Sequence, residues 1–372
     1  MKWISYRGNR HGSEHDKENT PDWIYLSINE GFEVMIDVWY GEDIVWRTGK
    51  DDNKIEMDVC WLDNDKIWFY PRNDTTLEKL KSLEHPRIFN HIDNRWCWCP
   101  ETTDTKIGEE TETSQYNFLC SSYIAWYKQR AEAKKRIAIL IGGRLTCQDI
   151  CLLPQIRNYL HKHQDHWIDV FISINNEPEN YENYKKLYQM DAPFIRVISC
   201  EKTICPEKYS HYQPRAGETN VPTCISMYYH NYLAMRLITE YKERNRTHYH
   251  IILKYRPDIV EQNNELPIVA SPFKEFLQDV DGNNFKQRCV YMPNTVDTTY
   301  NGIPKTNDQI GIGSYDVMMQ YMGIYPTMID YLEQRRAGYL LHPETILGFH
   351  LQEMGIETVR FTYSYSLHHK RY

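Results

Sequence analysis

The segment from His250 to Val260, HIILKYRPDIV, constrains the fold of this chain more than any other. Its apolar run, residues 251–253, is bounded by a proline, which is typical of a short buried strand. Pro257 cannot donate to a sheet ladder, so we expect the strand to end there, with Arg256 and Asp258 at its carboxyl end. Ligands bind at this edge of open α/β sheets. One carboxylate and one guanidinium suit a hard cation and a phosphate, which predicts transfer chemistry on a nucleotide-linked substrate.

The sequence before this segment alternates between strand and helix patterns. Strands are predicted at 137–143, 167–174, 194–197 and 251–253. Helices are predicted between them at 151–163, 181–190 and 223–244. This β-α-β-α-β-α-β order predicts a doubly wound α/β fold for the second half of the chain.

The first hundred residues also alternate between strand and helix patterns. A helix is predicted from Pro21 to Glu30, with Thr20 as its N-cap, followed by a strand at Glu33–Tyr40. Residues 100–114 are polar and acidic, which predicts a loop or linker. We therefore predict two domains, residues 1–125 and 126–372.

Composition excludes several classes of protein. The net charge of −8 argues against nucleic acid as the main partner. The chain lacks an 18-residue apolar run, and its first residues lack the apolar core of a signal peptide, so we expect a cytoplasmic protein without a membrane span. Aromatic residues make up 13% of the chain; they serve either as stacking platforms for carbohydrate or as ordinary core and surface residues.

Five segments of the second half carry a family resemblance. They are IAILIGGRL at 137–145, the helix at 224–242, ILKYRPDIV at 252–260, TNDQIGIGSYDVMMQYMGIYP at 306–326 and HPETILGFHLQEMGIETVRF at 342–361. In this order they resemble a glycosyltransferase of the GT-A type. The resemblance implies a GT-A, Rossmann-like fold and a nucleotide-sugar donor, such as a UDP- or GDP-sugar.

The resemblance implies a donor-binding role for Gly142, Gly143 and Arg144. Glycines let backbone N–H groups approach a nucleotide or pyrophosphate, and an arginine can pair with a phosphate or stack on a base. A plain turn between a strand and a helix explains the same glycines equally well.

Asp258 stands where the second carboxylate of a D-x-D motif holds Mg²⁺ or Mn²⁺ against the diphosphate. The first carboxylate is replaced by Arg256, whose guanidinium could itself neutralise charge on the leaving group. The alternative is a buried Arg256–Asp258 pair that only fixes the turn.

Three further residues are candidates for the site. Asp308 is the candidate base that takes the proton of the acceptor hydroxyl in an inverting transfer, or a ligand of a sugar hydroxyl; a retaining transfer needs no such base. Glu344 is a candidate acceptor- or sugar-binding carboxylate, and Gln309 is assigned to donor binding. A turn or cap explains Asp308, and favourable charge at a helix start explains Glu344, without any function.

The first half contains ISYRGNRHG at 4–12, KENTPDWIYLSINEGFEVMIDVWY at 17–40 and WRTGKDD at 46–52. These segments resemble a glycerophosphodiester phosphodiesterase, which implies a truncated TIM-barrel-like α/β domain. Tyr6, Met35 and Lys50 stand where that family has a catalytic His, a metal-binding Glu and a second His. Glu18 and Asp37 alone form a poor metal cage. We therefore expect no hydrolase activity, and a retained role in structural support or acceptor docking.

The combination of the two halves is similar to proteins of large DNA viruses of algae and protists, which implies transfer onto a viral capsid glycan in host cytoplasm. The sequence thus predicts an enzyme that moves a sugar from a nucleotide sugar to a glycan or glycoprotein acceptor, with a divalent cation as possible cofactor. The alternatives are a phosphodiester hydrolase in the first half and a non-catalytic glycan-binding protein.

Overall fold

In a computed structural model, the chain divides into two compact units, Met1–Glu132 and Ala133–Tyr372. The boundary predicted between 125 and 126 lies inside a helix of the first unit. The structure describes residues 2–41, 43–50, 53–85, 87–92, 95–99, 118–121, 124–143, 152–177, 194–210, 220–256, 259–261, 265–270, 273, 288–294, 299–300, 303–304, 306–333 and 342–367. Arg144, Asp258 and the predicted helix at 181–190 lie outside the described residues.

The first unit contains eight strands and three α-helices among its described residues. They are β1 (Lys2–Tyr6), α1 (Pro21–Asn29), β2 (Glu33–Tyr40), β3 (Trp46–Lys50), β4 (Asn53–Glu56), β5 (Ile67–Pro71), α2 (Asp74–Ser82), β6 (Ile88–Ile92), β7 (Arg95–Cys99), β8 (Phe118–Ser121) and α3 (Ile124–Glu132). Strands β8, β1, β2, β5 and β6 pair in parallel, while β3, β4 and β7 pair antiparallel with their neighbours. The unit is therefore an α/β domain on a mixed sheet.

Helix α1 begins at Pro21, as the sequence predicts. Thr20 occupies the N-cap position with an extended backbone, but its side chain makes no capping bond; its Oγ1 donates instead to the carbonyl oxygen of Lys17 at 2.7 Å. The helix ends at Asn29, one residue before the predicted Glu30, and Gly31 follows with a φ of +87°. That left-handed backbone is readily adopted by glycine, which favours the chain reversal into β2.

The two faces of β2 differ in chemistry. Alternate residues Val34, Ile36 and Val38 lie in an apolar cluster with residues of α1, α2 and β5. Asp37 lies on the opposite face, because successive side chains of a strand point to opposite sides. On this second face Asp37 contacts the polar side chains of Arg7 and Asn19.

The second unit contains eleven strands and six α-helices among its described residues. They are β9 (Lys135–Gly143), α4 (Leu152–Lys162), β10 (His166–Asn175), β11 (Ile195–Glu201), α5 (Glu207–Ser210), α6 (Val221–Asn245), β12 (Ile251–Tyr255), β13 (Ile259–Glu261), β14 (Cys289–Pro293), β15 (Thr299–Tyr300), β16 (Ile303–Pro304), β17 (Ile310–Gly313), α7 (Tyr315–Met322), α8 (Ile324–Glu333), α9 (Pro343–Glu353), β18 (Glu357–Phe361) and β19 (Tyr365–Leu367).

Seven of these strands form a mixed sheet in the order β11-β10-β9-β12-β17-β14-β18. Strand β17 is antiparallel to both of its neighbours, and the other pairings are parallel. The predicted α/β class is confirmed. Within the described residues, none of the helices is long and apolar enough to cross a membrane.

Helix α6 packs against the carboxyl end of β9 through a glycine contact. A Cβ atom on Gly142 would lie 2.6 Å from the backbone nitrogen of Asn231 and 2.4 Å from its Oδ1, closer than real contacts allow. Gly142 therefore has a packing role that is independent of any ligand. Gly143 has a φ of +112°, which also favours glycine.

A buried ion pair ties β10 to its surroundings. Asp169 is fully buried, and its Oδ1 accepts bonds from Trp167 Nε1 at 2.9 Å and Arg196 Nε at 2.6 Å. Its Oδ2 accepts from the Tyr249 hydroxyl at 2.8 Å. Removing a partner from such a pair leaves a desolvated charge, which costs more than losing an exposed pair.

We predict that Asp169→Ala lowers the free energy of unfolding by about 3–5 kcal/mol, because the buried donors of Trp167, Arg196 and Tyr249 would each lose the acceptor that Asp169 provides. Glu240→Ala is the matched control, since Glu240 pairs with Arg236 on the exposed side of α6 at 3.3 Å; its cost should stay below about 1 kcal/mol. Urea unfolding followed by circular dichroism measures both. Equal losses in the two variants would contradict this account of Asp169.

Candidate functional site

The chain changes direction across the sheet of the second unit between β9 and β12. From β9 the connections run to β10 and β11 on one side, whereas β12 pairs with the opposite edge of β9. Ligands of open α/β sheets bind outside the carboxyl ends of strands at such a switch point. Gly142 and Gly143 end β9 at this place, and Arg256 follows the last residue of β12.

The antiparallel strand β17 brings a second segment to the same edge. Tyr255, the last residue of β12, pairs with Ile310, the first residue of β17. The Arg256 amide donates to the carbonyl oxygen of Gln309 at 3.0 Å. The structure therefore brings Arg256 next to Asp308 and Gln309, which lie about fifty positions later in the sequence.

The Lys254 side chain bonds to the backbone of this second segment. It is a strand residue only 3% exposed, and its Nζ donates to the carbonyl oxygen of Asp308 and, at 3.1 Å, to that of Gln309. The carbonyl oxygens solvate the buried ammonium group. In return, the ammonium group fixes the backbone that carries the Asp308 carboxylate.

Asp308 is a buried carboxyl group, only 5% exposed. Burial raises its pKa above the ordinary value; the charge of Lys254 opposes this rise and that of Glu344 adds to it. The Arg256 guanidinium also opposes it, but less than these two neighbours. A carboxyl group with a raised pKa is a better proton acceptor near neutral pH than an exposed one.

Glu344 lies beside Asp308 because of the start of helix α9. Thr306 donates to the Glu344 carbonyl oxygen through its amide at 3.1 Å and its hydroxyl at 2.9 Å. The Glu344 Oε2 lies 2.7 Å from Nδ1 of His342, and the side chain is 34% exposed. Glu344 also occupies the first turn of α9, so stabilisation of the helix start and a role in the site coexist.

Sequence reasoning missed Asn307 and Tyr365. Asn307 Oδ1 accepts from the amides of Gln309 at 2.8 Å and Ile310 at 3.1 Å, and its Nδ2 donates to the Tyr365 hydroxyl at 2.8 Å. That hydroxyl donates to Gln309 Oε1 at 2.6 Å. The amide oxygen of Gln309 is thereby occupied, which sets the orientation of its amide group. Asparagine is common in turns, so the sequence could have indicated a turn at Asn307. No local sequence pattern indicates that Tyr365 reaches the site.

Pairing of β13 with β19 brings Tyr365 to the site. Glu261 is the register partner of Tyr365, and Ile259 is that of Leu367. Strand β13 begins three residues after Arg256, so the last described strand of the chain closes against the segment that follows β12.

Cys224 and Tyr228 of helix α6 lie near the two carboxylates. Burial raises the pKa of Cys224 to about 12, so its thiol stays protonated and is not a nucleophile at neutral pH. The Tyr228 hydroxyl donates to the carbonyl oxygen of Pro343 at 2.7 Å, and burial raises its pKa well above the usual value. Both side chains are therefore uncharged neighbours of Asp308 at neutral pH.

A divalent cation finds no ready set of ligands among the described residues, since no group of three His, Cys, Asp or Glu side chains there could hold one. The carboxylates of Asp308 and Glu344 are accompanied by the cations of Lys254 and Arg256. The predicted metal ligand, Asp258, and the predicted phosphate ligand, Arg144, lie outside the described residues.

In the first unit, the structure brings together Glu18 and Asp37, the two carboxylates named by the family resemblance. Arg7 lies between them, with Nε 2.5 Å from Asp37 Oδ2 and an η-nitrogen 3.0 Å from Glu18 Oε2. The Arg7 guanidinium therefore provides the positive charge that faces both carboxylates.

No family model matches the chain, and no curated protein matches it either.

Proposed function

We propose that the second unit is a glycosyltransferase of the GT-A type that moves a sugar from a nucleotide-sugar donor to a glycan or glycoprotein acceptor. The observation that carries the proposal is the buried Asp308 carboxyl beside the Arg256 corner, at the switch point of the sheet. A proton acceptor and a fixed guanidinium at one sheet edge suit transfer from a diphosphate leaving group.

In the proposed reaction, an acceptor hydroxyl attacks the anomeric carbon and its proton passes to the Asp308 carboxylate. The bond from that carbon to the diphosphate oxygen breaks, and the nucleoside diphosphate leaves with the electron pair. Attack opposite the leaving group inverts the anomeric configuration. The raised pKa of Asp308 supports this role.

Arg256 is proposed to stabilise negative charge on the leaving diphosphate, together with Gln309 as a hydrogen-bonding group of the donor site. Glu344 is proposed to bind a hydroxyl of the sugar or of the acceptor. Gly143 and Arg144 are proposed to contact the nucleotide or its phosphates. For Gly142 the packing against Asn231 supplies a sufficient reason for the glycine by itself.

The divalent cation, Mn²⁺ or Mg²⁺, remains part of the proposal through Asp258. Such a cation would neutralise the diphosphate oxygens when bound. Because Arg256 already supplies a positive charge at this edge, we expect transfer without added metal to be reduced rather than abolished.

A cytoplasmic setting and a viral capsid glycan as acceptor are proposed from the family resemblance alone. For the first unit, we propose a truncated TIM-barrel-like domain without hydrolase activity. The position of Arg7 between Glu18 and Asp37 supports this, because the two carboxylates already have a counter-charge.

The donor proposal predicts that a nucleotide sugar stabilises the full chain in a thermal-shift screen of UDP-, GDP-, CMP- and dTDP-sugars, with and without Mn²⁺. A ligand at one hundred times its dissociation constant adds about 2.7 kcal/mol to the free energy of unfolding. If none of these donors shifts the melting temperature, the donor proposal is wrong.

The base proposal predicts that Asp308→Asn lowers kcat about 10²–10⁴-fold, because the acceptor proton loses its carboxylate, while donor affinity stays near that of the wild type. Arg256→Gln should lower kcat about 10²–10³-fold through loss of leaving-group stabilisation. The matched controls are Asp316→Asn, an exposed residue of α7, and Arg236→Gln, an exposed residue of α6.

Turnover is measured with the donor found in the screen, and the anomeric configuration of the product is read by NMR. Both controls should turn over like the wild type, and the product should be inverted. Wild-type turnover by Asp308→Asn, or retention of configuration, would remove Asp308 as the base.

A further inference from the structure

The first unit carries a second site-like group, where the parallel strands β1, β2 and β5 approach their carboxyl ends. We call it the Asp37 cluster; it consists of Arg7, Asn9, Glu18, Asn19, Asp37 and Arg72. Glu18 is 5% exposed and Asp37 is 1% exposed. The Arg7 and Arg72 side chains are 23% and 28% exposed, so the cluster reaches solvent through its two guanidinium groups.

Side-chain amide groups donate to one oxygen of each carboxylate in the cluster. Asn9 Nδ2 donates to Glu18 Oε1 at 2.8 Å, and Asn19 Nδ2 donates to Asp37 Oδ2 at 3.1 Å. The imidazole Nδ1 of the exposed His15 lies 3.6 Å from Glu18 Oε1. Glu18 therefore accepts hydrogen bonds at both oxygens, whereas Asp37 Oδ2 accepts one from Asn19 and forms an ion pair with Nε of Arg7.

Asp37 Oδ1 is different. It is buried and accepts no hydrogen bond from any part of the chain that the structure describes. Nε of Arg72 lies 3.9 Å from Oδ1, which is too far for a hydrogen bond. A buried carboxylate oxygen without a donor is unfavourable, so a ligand that brings a donor to Oδ1 would gain by supplying it.

The charges of the cluster favour a neutral ligand over a phosphate ester. Two guanidinium groups face two carboxylates, and Arg7 already contacts both carboxylates. Phosphate recognition depends on uncompensated Arg or Lys charge. The ammonium group of Lys54 lies nearby, 4.9 Å above the ring of Trp39, and is exposed to solvent. The formal charges of the cluster, two guanidinium groups and two carboxylates, sum to zero.

Aromatic rings share the face of Asp37. Tyr70 is its register partner on β5, and Trp39 lies two residues further along β2. The Arg72 guanidinium lies 5.3 Å from the Tyr70 ring centre. Trp39 is buried, whereas the half-buried Tyr70 ring offers an apolar surface for sugar C–H groups. The neighbouring carboxylate, amide and guanidinium groups supply acceptors and donors for hydroxyls.

We propose that the Asp37 cluster binds a neutral carbohydrate. A sugar hydroxyl donates to Asp37 Oδ1, and the guanidinium groups of Arg7 and Arg72 donate to neighbouring hydroxyl oxygens. This site belongs to the first unit and goes beyond the proposed transferase site of the second unit. It would allow the chain to hold a glycan whether or not the second unit acts on it.

The experiment applies the full chain to an array of neutral oligosaccharides and measures the affinity for those retained. The wild type should retain at least one glycan. Asp37→Asn should weaken glycan binding tenfold or more, because the side chain loses its negative charge and one of its two oxygen acceptors becomes an NH₂ donor. Asp43→Asn is the matched control, since Asp43 forms an exposed ion pair with Arg47; it should bind like the wild type.

To separate loss of binding from loss of folding, Arg72→Gln tests the exposed edge of the cluster. Its circular dichroism and melting temperature should match the wild type, while glycan binding weakens several-fold. Asp316→Asn, an exposed substitution in the second unit that lies outside both proposed sites, should retain the glycan fully.

Three outcomes would overturn the proposal. The first is a wild-type chain that retains no neutral glycan. The second is a folded Asp37→Asn or Arg72→Gln variant that binds as the wild type does, or a glycan lost in Asp316→Asn. The third is competition by glycerol 3-phosphate that displaces every retained glycan through the Asp37 cluster, which would assign the cluster to phosphate esters.

Discussion

The buried ammonium group of Lys254 is the contact on which the candidate site depends. It lies on the central strand β12, where an unpartnered cation would be costly, and two carbonyl oxygens of the segment before β17 solvate it. This contact joins two segments distant in sequence. Without it, the backbone that places Asp308 next to Arg256 would lose its fixed position at the sheet edge.

The same contact explains how the chain keeps a carboxyl group almost out of water. The Lys254 charge partly offsets the desolvation of Asp308, whereas the neighbouring Glu344 works against it, and the net effect is a raised pKa. The folded state therefore binds the Asp308 proton more tightly than the unfolded state does. As pH rises from the ordinary pKa of an aspartate to the raised pKa of Asp308, this group lowers the free energy of unfolding. Such a cost is typical of functional groups, which trade stability for reactivity.

Local patterns predicted a substantial part of this arrangement. The apolar run before Arg256 lies in strand β12, and Arg256 follows the carboxyl end of that strand as expected. The start of α1 at Pro21 and the long helix α6 were also predicted within two residues. These features depend on residues close in sequence, where period, proline and capping signals act directly.

Long-range pairing limited the rest. Strand β17 has only four residues, two of them glycine, and its antiparallel insertion between β12 and β14 leaves no local signal. Tyr365 reaches Asn307 and Gln309 only because β19 pairs with β13. Lys254 carried no prediction, since the sequence does not reveal that its ammonium group bonds to two carbonyl oxygens. Gly142 suggested a ligand, but its packing against Asn231 gives a reason internal to the fold.

The central claim is that Asp308 is a buried carboxyl group whose environment makes it a proton acceptor. A ¹³C NMR titration of aspartate-labelled protein, with the Asp308 signal assigned by its absence in Asp308→Asn, measures this directly. The account predicts that the Asp308 carboxyl titrates at a pKa above that of an ordinary aspartate. A signal that titrates at or below the ordinary value would contradict it.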